Sequence, residues 1–204
     1  MFRIQKEIEN TIIIQKSEFI THLYRVESIN NVNAILETTR KKYYDATHNC
    51  YAYIIGDNQD IQKCSDDGEP QKTAGAPMMD VLKKNNMTNI LAIVTRYFGG
   101  ILLGAGGLVR AYSSSVAEAL SKAKLYTTLE VVDFMITTSY SGYNSILNIK
   151  DINITNTSFT DSVIITGYIK KDLFNQLNEI LYKNKIDPEA LKKIGDSLKE
   201  IPIE

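Results

Sequence analysis

A cluster of glycines in the middle of the chain constrains the fold most. Five of the eleven glycines fall within nine residues, directly after the apolar run 90–94 and before a segment with helical periodicity. Glycine is favoured where the backbone bends sharply or approaches another group closely. A strand that leads through glycines into a helix leaves N–H groups unpaired at the positive end of the helix dipole, which favours an anion. The pattern predicts an anion-binding surface at Gly99, Gly100, Gly104, Gly106 and Gly107.

Two arginines bracket this cluster. Arg96 precedes it and Arg110 follows it. Because a guanidinium group matches phosphate and carboxylate well, both are candidate anion clamps, with Arg110 folding back from the start of the helix. The cluster is not a P-loop, since no Gly-Lys-Ser/Thr follows, and it lacks the last glycine of a dinucleotide fingerprint in register. The alternative that stays open is that the glycines only permit tight turns and close strand–helix packing.

An acidic turn and a histidine are the other candidates. Asp66, Asp67 and Glu69 surround an Asp-Gly pair that is typical of turns. They are interpreted as a solvated turn, as oxygen ligands that help a phosphate to hold Mg²⁺, or, for Glu69, as a partner of one arginine that positions the glycine loop. His48 stands before a predicted strand, and it is either a hydrogen-bonded structural residue or a general acid or base.

Composition narrows the function classes. A net charge of −1 and a hydrophobic content of 44% are ordinary for a globular protein, with no overall field toward nucleic acid or lipid. Residues 1–124 carry 15 Lys and Arg against 13 Asp and Glu, whereas residues 125–204 carry 8 against 11. All five arginines lie in the first part, so anion recognition is expected there. Two unpaired cysteines, no leader pattern and no apolar run of about 20 residues predict a cytoplasmic protein without a membrane partner or metal site.

Hydrophobic periodicity predicts an α+β fold in two domains, 1–124 and 125–204. The second domain is expected to follow the order strand-helix-strand-strand-helix-strand, which is typical of ferredoxin-like domains. Within it, a hairpin is predicted at 160–162, one amphipathic helix over 173–181 and a last strand near 198–203. In the first domain, helices are predicted after Ser28, around Pro77 and from Leu108 to Ala123. The strands are predicted at 11–15, 19–26, 50–55 and 90–94, with a polar loop at 58–72.

Three motifs resemble the YigZ/IMPACT family. They are Ala-Thr-His-Asn-Cys-Tyr-Ala at 46–52, Asp-Gly-Glu-Pro with Thr-Ala-Gly-x-Pro at 67–77, and Val-Thr-Arg-Tyr-Phe-Gly-Gly with the following glycine segment at 94–112. The resemblance covers residues from about 15 to 124. It implies that the first domain has the fold of the second domain of ribosomal protein S-five, and that the second domain is similar to the ferredoxin-like last domain of elongation factor G. Lys72 departs from a usual glycine, and Leu102 from a frequent lysine.

The resemblance also implies a link to translation. Eukaryotic IMPACT proteins are linked to translational control, and bacterial members have been suggested to bind nucleic acid or the ribosome. We therefore expect a regulator without catalytic residues or a cofactor that binds RNA, the ribosome or a regulatory protein, but not DNA, through the glycine/arginine surface. The alternative is a Mg²⁺-dependent phosphate-ligand or nucleotide-binding enzyme of phosphotransferase type, because small-molecule kinases share the S-five-like fold. That alternative uses Asp66, Asp67 or Glu69 for Mg²⁺, with His48 or Arg96 near the reacting group.

Overall fold

The computed structural model describes residues 1–203, which divide into two compact units. Unit 1 contains residues 1–127 and the last residues from Pro202, and unit 2 contains residues 128–201. The described residues form two five-stranded sheets with helices, so the predicted α+β class is confirmed. No helix within residues 1–203 combines the length and the apolar character that are needed to cross a bilayer.

The large sheet of unit 1 is antiparallel throughout, in the order β2-β3-β6-β4-β5. Its middle strand, β6, is buried along nearly its whole length, as expected for an apolar strand covered on both faces. A further short strand, β1, pairs with residues 125–127. The strands of unit 1 are β1 (Phe2–Ile4), β2 (Ile8–Ile14), β3 (Ser17–Arg25), β4 (His48–Ile55), β5 (Ile61–Ser65) and β6 (Ile90–Tyr97).

Helices cover both faces of this sheet. The first, α1 (Ile29–Lys42), begins where the Ser28 side chain accepts a hydrogen bond from the Asn31 N–H, so the predicted cap is confirmed. It packs its buried residues on one face of β4 and β6. The second and third, α2 (Gly75–Lys84) and α3 (Gly104–Ser121), pack on the other face. The two inner strands β4 and β6 therefore lie between two apolar layers.

The polar loop predicted at 58–72 is wrong in part. Residues 61–65 form β5, which pairs with β4 at the edge of the sheet. Because both faces of this edge strand are exposed to solvent, its residues do not need to alternate between apolar and polar. The hydrophobic pattern that predicted the inner strands is therefore absent from this one. The mostly polar residues of β5 are consistent with its place at the edge of the sheet, where one side of the strand is not paired with another strand.

Unit 2 has the strand order β10-β7-β9-β8 and helices in the order of the predicted ferredoxin-like domain. The predicted hairpin at 160–162 is confirmed, because it joins β8 to β9. The single helix predicted over 173–181 is divided in two, and the last strand is longer than expected. The elements are β7 (Leu125–Thr138), α4 (Tyr140–Ile146), β8 (Asn153–Phe159), β9 (Val163–Lys170), α5 (Lys171–Phe174), α6 (Leu177–Lys183) and β10 (Leu191–Pro202).

A buried histidine on β3 couples the stability of unit 1 to pH. His22 Nε2 lies 2.9 Å from the Tyr43 hydroxyl, and Nδ1 lies 3.5 Å from the Glu9 carboxylate. Burial lowers the pKa of His22; the negative charge of Glu9 opposes this shift and Lys42 adds to it. The native state therefore binds fewer protons than the unfolded state, in which the histidine pKa is about 6.5. The free energy of unfolding should fall as the pH drops through that value.

We expect His22→Gln to lose less stability than the parent protein between about pH 7.5 and pH 5.5. Glutamine keeps a hydrogen-bonding group near Tyr43 but does not titrate. Urea unfolding of both proteins at both pH values measures the difference, and the carboxylates common to both proteins serve as the internal control. Equal losses in the two proteins would contradict this role of His22.

Candidate anion-binding site

A cleft of about 370 Å³ opens in unit 1 where the end of β6 meets the start of α3. We call it the α3 cleft. His48, Glu69 and Arg96 contribute its polar wall, and Gly104 and Ala105 bring the first turn of α3 to its edge. This volume lies in the range of small-ligand sites. The rest of the lining is mostly apolar: Thr47, Pro70, Phe98, Leu102, Leu103 and Leu108.

A buried ion pair forms the inner wall of the cleft. Arg96 Nη1 donates to Glu69 Oε1 at 2.6 Å, and the two side chains are only 6% and 3% exposed. The Tyr112 hydroxyl donates to the same oxygen at 2.8 Å, and Arg96 Nη2 reaches Ser17 Oγ at 3.4 Å. Removing either partner of such a pair leaves a buried charge uncompensated, typically at a cost of about 3 to 5 kcal/mol. Arg96 is therefore a fixed part of the wall and not a mobile clamp.

Two neutral groups lie beside this ion pair. Burial raises the pKa of the Tyr112 hydroxyl and of the Cys50 thiol, so both stay protonated. The thiol donates to the Asp66 carbonyl oxygen at 2.9 Å. A thiol without thiolate character is not a nucleophile. Cys50 therefore acts as a packing and hydrogen-bonding residue beneath the cleft.

His48 is held in one tautomer by the acidic turn. Its Nδ1 lies 2.8 Å from the Asp67 carbonyl oxygen, and because a carbonyl can only accept, Nδ1 carries the proton. In the neutral ring Nε2 is then an acceptor, and it lies 3.8 Å from Glu69 Oε2. Gly68, at φ +90°, allows the turn to pass close under the ring. The arrangement directs Nε2 of His48 toward Glu69 at the polar wall of the cleft.

The carboxylates of Asp66 and Asp67 build the turn. Asp66 accepts hydrogen bonds from the N–H groups of Ala74 and Gly75, at 3.0 and 2.8 Å, where α2 begins. Asp67 accepts from the N–H of Asn49 at 2.7 Å. Neither lines the cleft, and within residues 1–203 no three His, Cys, Asp or Glu side chains assemble as metal ligands. These contacts correspond to the structural interpretation of the acidic turn.

The glycines of the cluster differ in the structural reason for which glycine is present. A Cβ at Gly99 would lie 2.0 Å from the Lys16 carbonyl carbon, so glycine is required there for the close approach to the turn between β2 and β3. Gly100 and Gly104 have φ values of +81° and +67°, in the region that favours glycine. Gly106 and Gly107 lie within the first turn of α3. Backbone shape therefore accounts for Gly99, Gly100 and Gly104, but not for Gly106.

The start of α3 is open. No side chain caps it and no acidic residue occupies its first turn, while Gly104, Ala105 and Gly106 are exposed. Arg110 Nη1 lies 3.8 Å from the point that a Cβ on Gly106 would occupy, so the guanidinium folds back over the first turn. Among the described residues it has no hydrogen bond or ion pair. The unpaired N–H groups and this arginine make the start of α3 a positively charged surface.

The structure thus brings His48, Glu69, Arg96 and Gly104 to one cleft. Arg110 does not line this cleft and lies over Gly106 in the first turn of α3. The apolar rim was not anticipated: Phe98 is 47% exposed and Leu102 is 86% exposed. Tyr112 and Ser17, which fix the ion pair, were also missed as site residues. The position of Tyr112 on the apolar face of the predicted helix indicated that it is buried, but it did not indicate that its hydroxyl binds Glu69.

Comparisons with known proteins place these residues in a family. A family model described as the Impact N-terminal domain matches residues 15–120. "IMPACT family member YigZ" of Escherichia coli is 36% identical over 157 residues, which cover 74% of this chain and 77% of that protein. The chain belongs to the IMPACT family. "IMPACT family member YvyE" of Bacillus subtilis is 52% identical over 120 residues, and the match spans 59% of this chain and 55% of that relative's length.

A solved structure extends the likeness of this IMPACT-family chain over both units. A protein titled "Crystal structure of an hypothetical protein" is 30% identical, with a TM-score of 0.59, over 100% of this chain and 97% of its own. The family match confirms the resemblance that the three motifs indicated. All three motifs lie within the matched residues 15–120.

The two departures from the family pattern have visible consequences. Lys72 adopts φ +64°, a conformation that favours glycine, and its N–H donates to the Asp66 carboxylate at 2.8 Å. A glycine at this position would adopt the positive φ value without a conformational energy cost. Leu102 stands exposed at the rim of the α3 cleft, where a lysine would add positive charge. The rim of the cleft is therefore apolar at this position.

The glycine roles can be separated by a pair of substitutions. We expect Gly99→Ala to destabilise unit 1 by about 2 to 3 kcal/mol, because the new Cβ meets backbone that cannot move freely. Gly106→Ala should stabilise it by about 0.5 kcal/mol, because alanine favours the helix and the Cβ meets only the flexible end of Arg110. Urea unfolding measures both. Equal effects of the two substitutions would contradict this division.

Proposed function

We propose that this IMPACT-family protein is a translation-associated regulator that binds single-stranded RNA, and that the α3 cleft holds an RNA phosphate. The observation that carries the proposal is the uncapped, exposed start of α3 with the Arg110 guanidinium lying over it. N–H groups at a helix start attract anions because they are unpaired and lie at the positive end of the dipole. An arginine beside them adds a full charge and directional donors.

The apolar rim supports RNA over a simple anion. Phe98 presents an exposed ring beside the start of α3, and the Arg96 guanidinium lies 5.6 Å from the centre of that ring. Proteins that bind single strands combine phosphate donors with aromatic faces on which bases stack. A phosphate at the start of α3 would leave the adjacent base near Phe98 and Leu102. The cleft thus offers both kinds of contact in one place.

The chemistry of the remaining groups favours binding over catalysis. Two of the three carboxylates that the Mg²⁺-dependent alternative could use, those of Asp66 and Asp67, already accept backbone hydrogen bonds. Glu69 is bound to Arg96 and Tyr112. A Mg²⁺ ion would have to compete with each of these donors for the same oxygens. The contacts in the cleft therefore give no specific support to the Mg²⁺-dependent enzyme.

We test the proposal by fluorescence anisotropy with a labelled single-stranded RNA of about 12 nucleotides, over a series of salt concentrations. Arg110→Glu should weaken binding about tenfold and lower the slope of log K against log salt by about one. Lys84→Glu changes the charge equally on an exposed position at the end of α2, away from the cleft lining, and is the matched control. It should change binding much less.

Two results would overturn the proposal. One is an absence of RNA binding by the parent protein even at low salt, and the other is an equal effect of Arg110→Glu and Lys84→Glu. A protein partner is distinguished by a labelled acidic peptide in the same assay. If the peptide binds through Arg110 and the RNA does not, the surface serves a protein and not RNA.

A further inference from the structure

The inner wall of the α3 cleft contains a carboxylate oxygen that the protein itself does not use. Glu69 Oε1 accepts hydrogen bonds from Arg96 and Tyr112, whereas no group within residues 1–203 donates to Oε2. The Glu69 side chain is only 3% exposed. Buried polar atoms normally have a hydrogen-bond partner, so an exception of this kind needs an explanation. A donor on a ligand that enters the cleft would supply the missing partner.

A second acceptor lies beside this oxygen. In the neutral His48 ring Nε2 carries a lone pair, because Nδ1 donates to the Asp67 carbonyl oxygen. The distance from Nε2 to Glu69 Oε2 is 3.8 Å, which is beyond hydrogen-bond distance. Both residues line the cleft, and neither of the two atoms is fully buried. The inner wall therefore presents two neighbouring acceptors that require two donors.

Among the four RNA bases, guanine brings two neighbouring donors on its Watson–Crick edge. Its N1–H and N2–H₂ groups lie side by side. Adenine and cytosine each place one amino group next to an acceptor nitrogen, and uracil has one N–H between two carbonyl groups. With any of these three bases, a lone pair would face Glu69 or His48, and one buried acceptor would stay unpaired. The inner wall therefore favours guanine.

The charges around the wall favour a neutral donor over a cation. Arg96 Nη1 lies 2.6 Å from Glu69 Oε1, so the charge of this carboxylate is already compensated. An ammonium or guanidinium group at Oε2 would lie near Arg96 and near the positive start of α3, which also borders the cleft. Guanine supplies its donors without a positive charge. The apolar sides of the cleft, at Phe98, Leu102 and Leu103, suit the faces of a base.

We propose that the α3 cleft recognises guanine in single-stranded RNA. The inference rests on the proposed RNA-binding function and adds a base preference to it. The guanine N1–H and N2–H₂ groups donate to Glu69 Oε2 and His48 Nε2, and the face of the base lies against Phe98. A cleft of about 370 Å³ has room for one base, whose own phosphate then lies toward the start of α3.

The experiment compares labelled RNAs of about 12 nucleotides that differ only at one central position. The other positions are uridine, and the central base is guanine, adenine, cytosine or uracil. Fluorescence anisotropy at pH 8 measures the affinity, and unlabelled guanosine and adenosine monophosphates serve as competitors. The RNA with guanine should bind about tenfold more tightly than the other three.

Modified bases at the same position test the two donors separately. Inosine lacks the N2 amino group, and N1-methylguanosine lacks the N1–H. Each should reduce the preference over uracil to about threefold or less, because one buried acceptor loses its partner. The control is 7-deazaguanosine, which changes only N7 on the opposite edge of the base and should keep the full preference.

A variant tests the histidine acceptor directly. His48→Asn keeps an N–H donor near the Asp67 carbonyl oxygen but has no acceptor at the position of Nε2. It should reduce the guanine preference to about threefold or less, while Lys84→Ala should leave the preference unchanged. Thermal unfolding verifies that both variants are folded. If His48→Asn does not fold, the inosine and N1-methylguanosine results with the parent protein still decide the question.

The outcomes separate this inference from the function on which it rests. Equal affinity for all four central bases, together with a loss of affinity in Arg110→Glu, overturns the inference and keeps RNA binding. A guanine preference that inosine and N1-methylguanosine retain in full also overturns it. Binding of guanosine monophosphate without binding of any RNA keeps the guanine site and overturns the RNA function. Absence of binding by every probe overturns both.

Discussion

The buried ion pair between Glu69 and Arg96 is the interaction on which the site depends. It joins the acidic turn to the end of β6, and the Tyr112 hydroxyl brings α3 to the same carboxylate oxygen. Because both charges lie out of water, neither residue can be lost without leaving the other unpaired, so three elements are held together at one point. The start of α3 is positioned by this contact, with its first N–H groups facing solvent. The anion site that we propose depends on this structural constraint.

The two parts of the glycine segment have different surroundings. Its first part fits backbone against backbone: Gly99 touches the turn between β2 and β3, and Gly100 reverses the chain at positive φ. Its second part leaves the start of α3 bare, since Gly106 lacks a steric reason for glycine and Arg110 lies over it. The structural interpretation of the cluster therefore accounts for its first part, and the proposed anion binding concerns only the start of α3.

The sequence predicted the inner layers of the fold better than its edges. The apolar run of β6 and the helical face of α3 depend on patterns that burial imposes, whereas the Ser28 cap depends on the unpaired N–H groups at a helix start. All three could be predicted from the sequence. The edge strand β5 and the division between α5 and α6 were not, because exposed segments carry no obligatory pattern. At the site, a pair between Glu69 and an arginine was one of three open interpretations of the acidic turn. The folded structure assigns this arginine as Arg96, and the Tyr112 hydroxyl binds the same carboxylate oxygen. The apolar rim at Phe98 and Leu102 depends on exposure, which periodicity does not report.

The most direct test of this account is a ¹H–¹⁵N NMR titration of the intact protein with a short single-stranded RNA. Glycine amide signals fall in a well-separated region, so the start of α3 is observed residue by residue. We expect the amides of Gly104, Gly106 and Gly107 to shift most, with smaller changes near His48. Large shifts confined to unit 2, with these glycine amides unmoved, would contradict the claim that the open start of α3 is the binding surface.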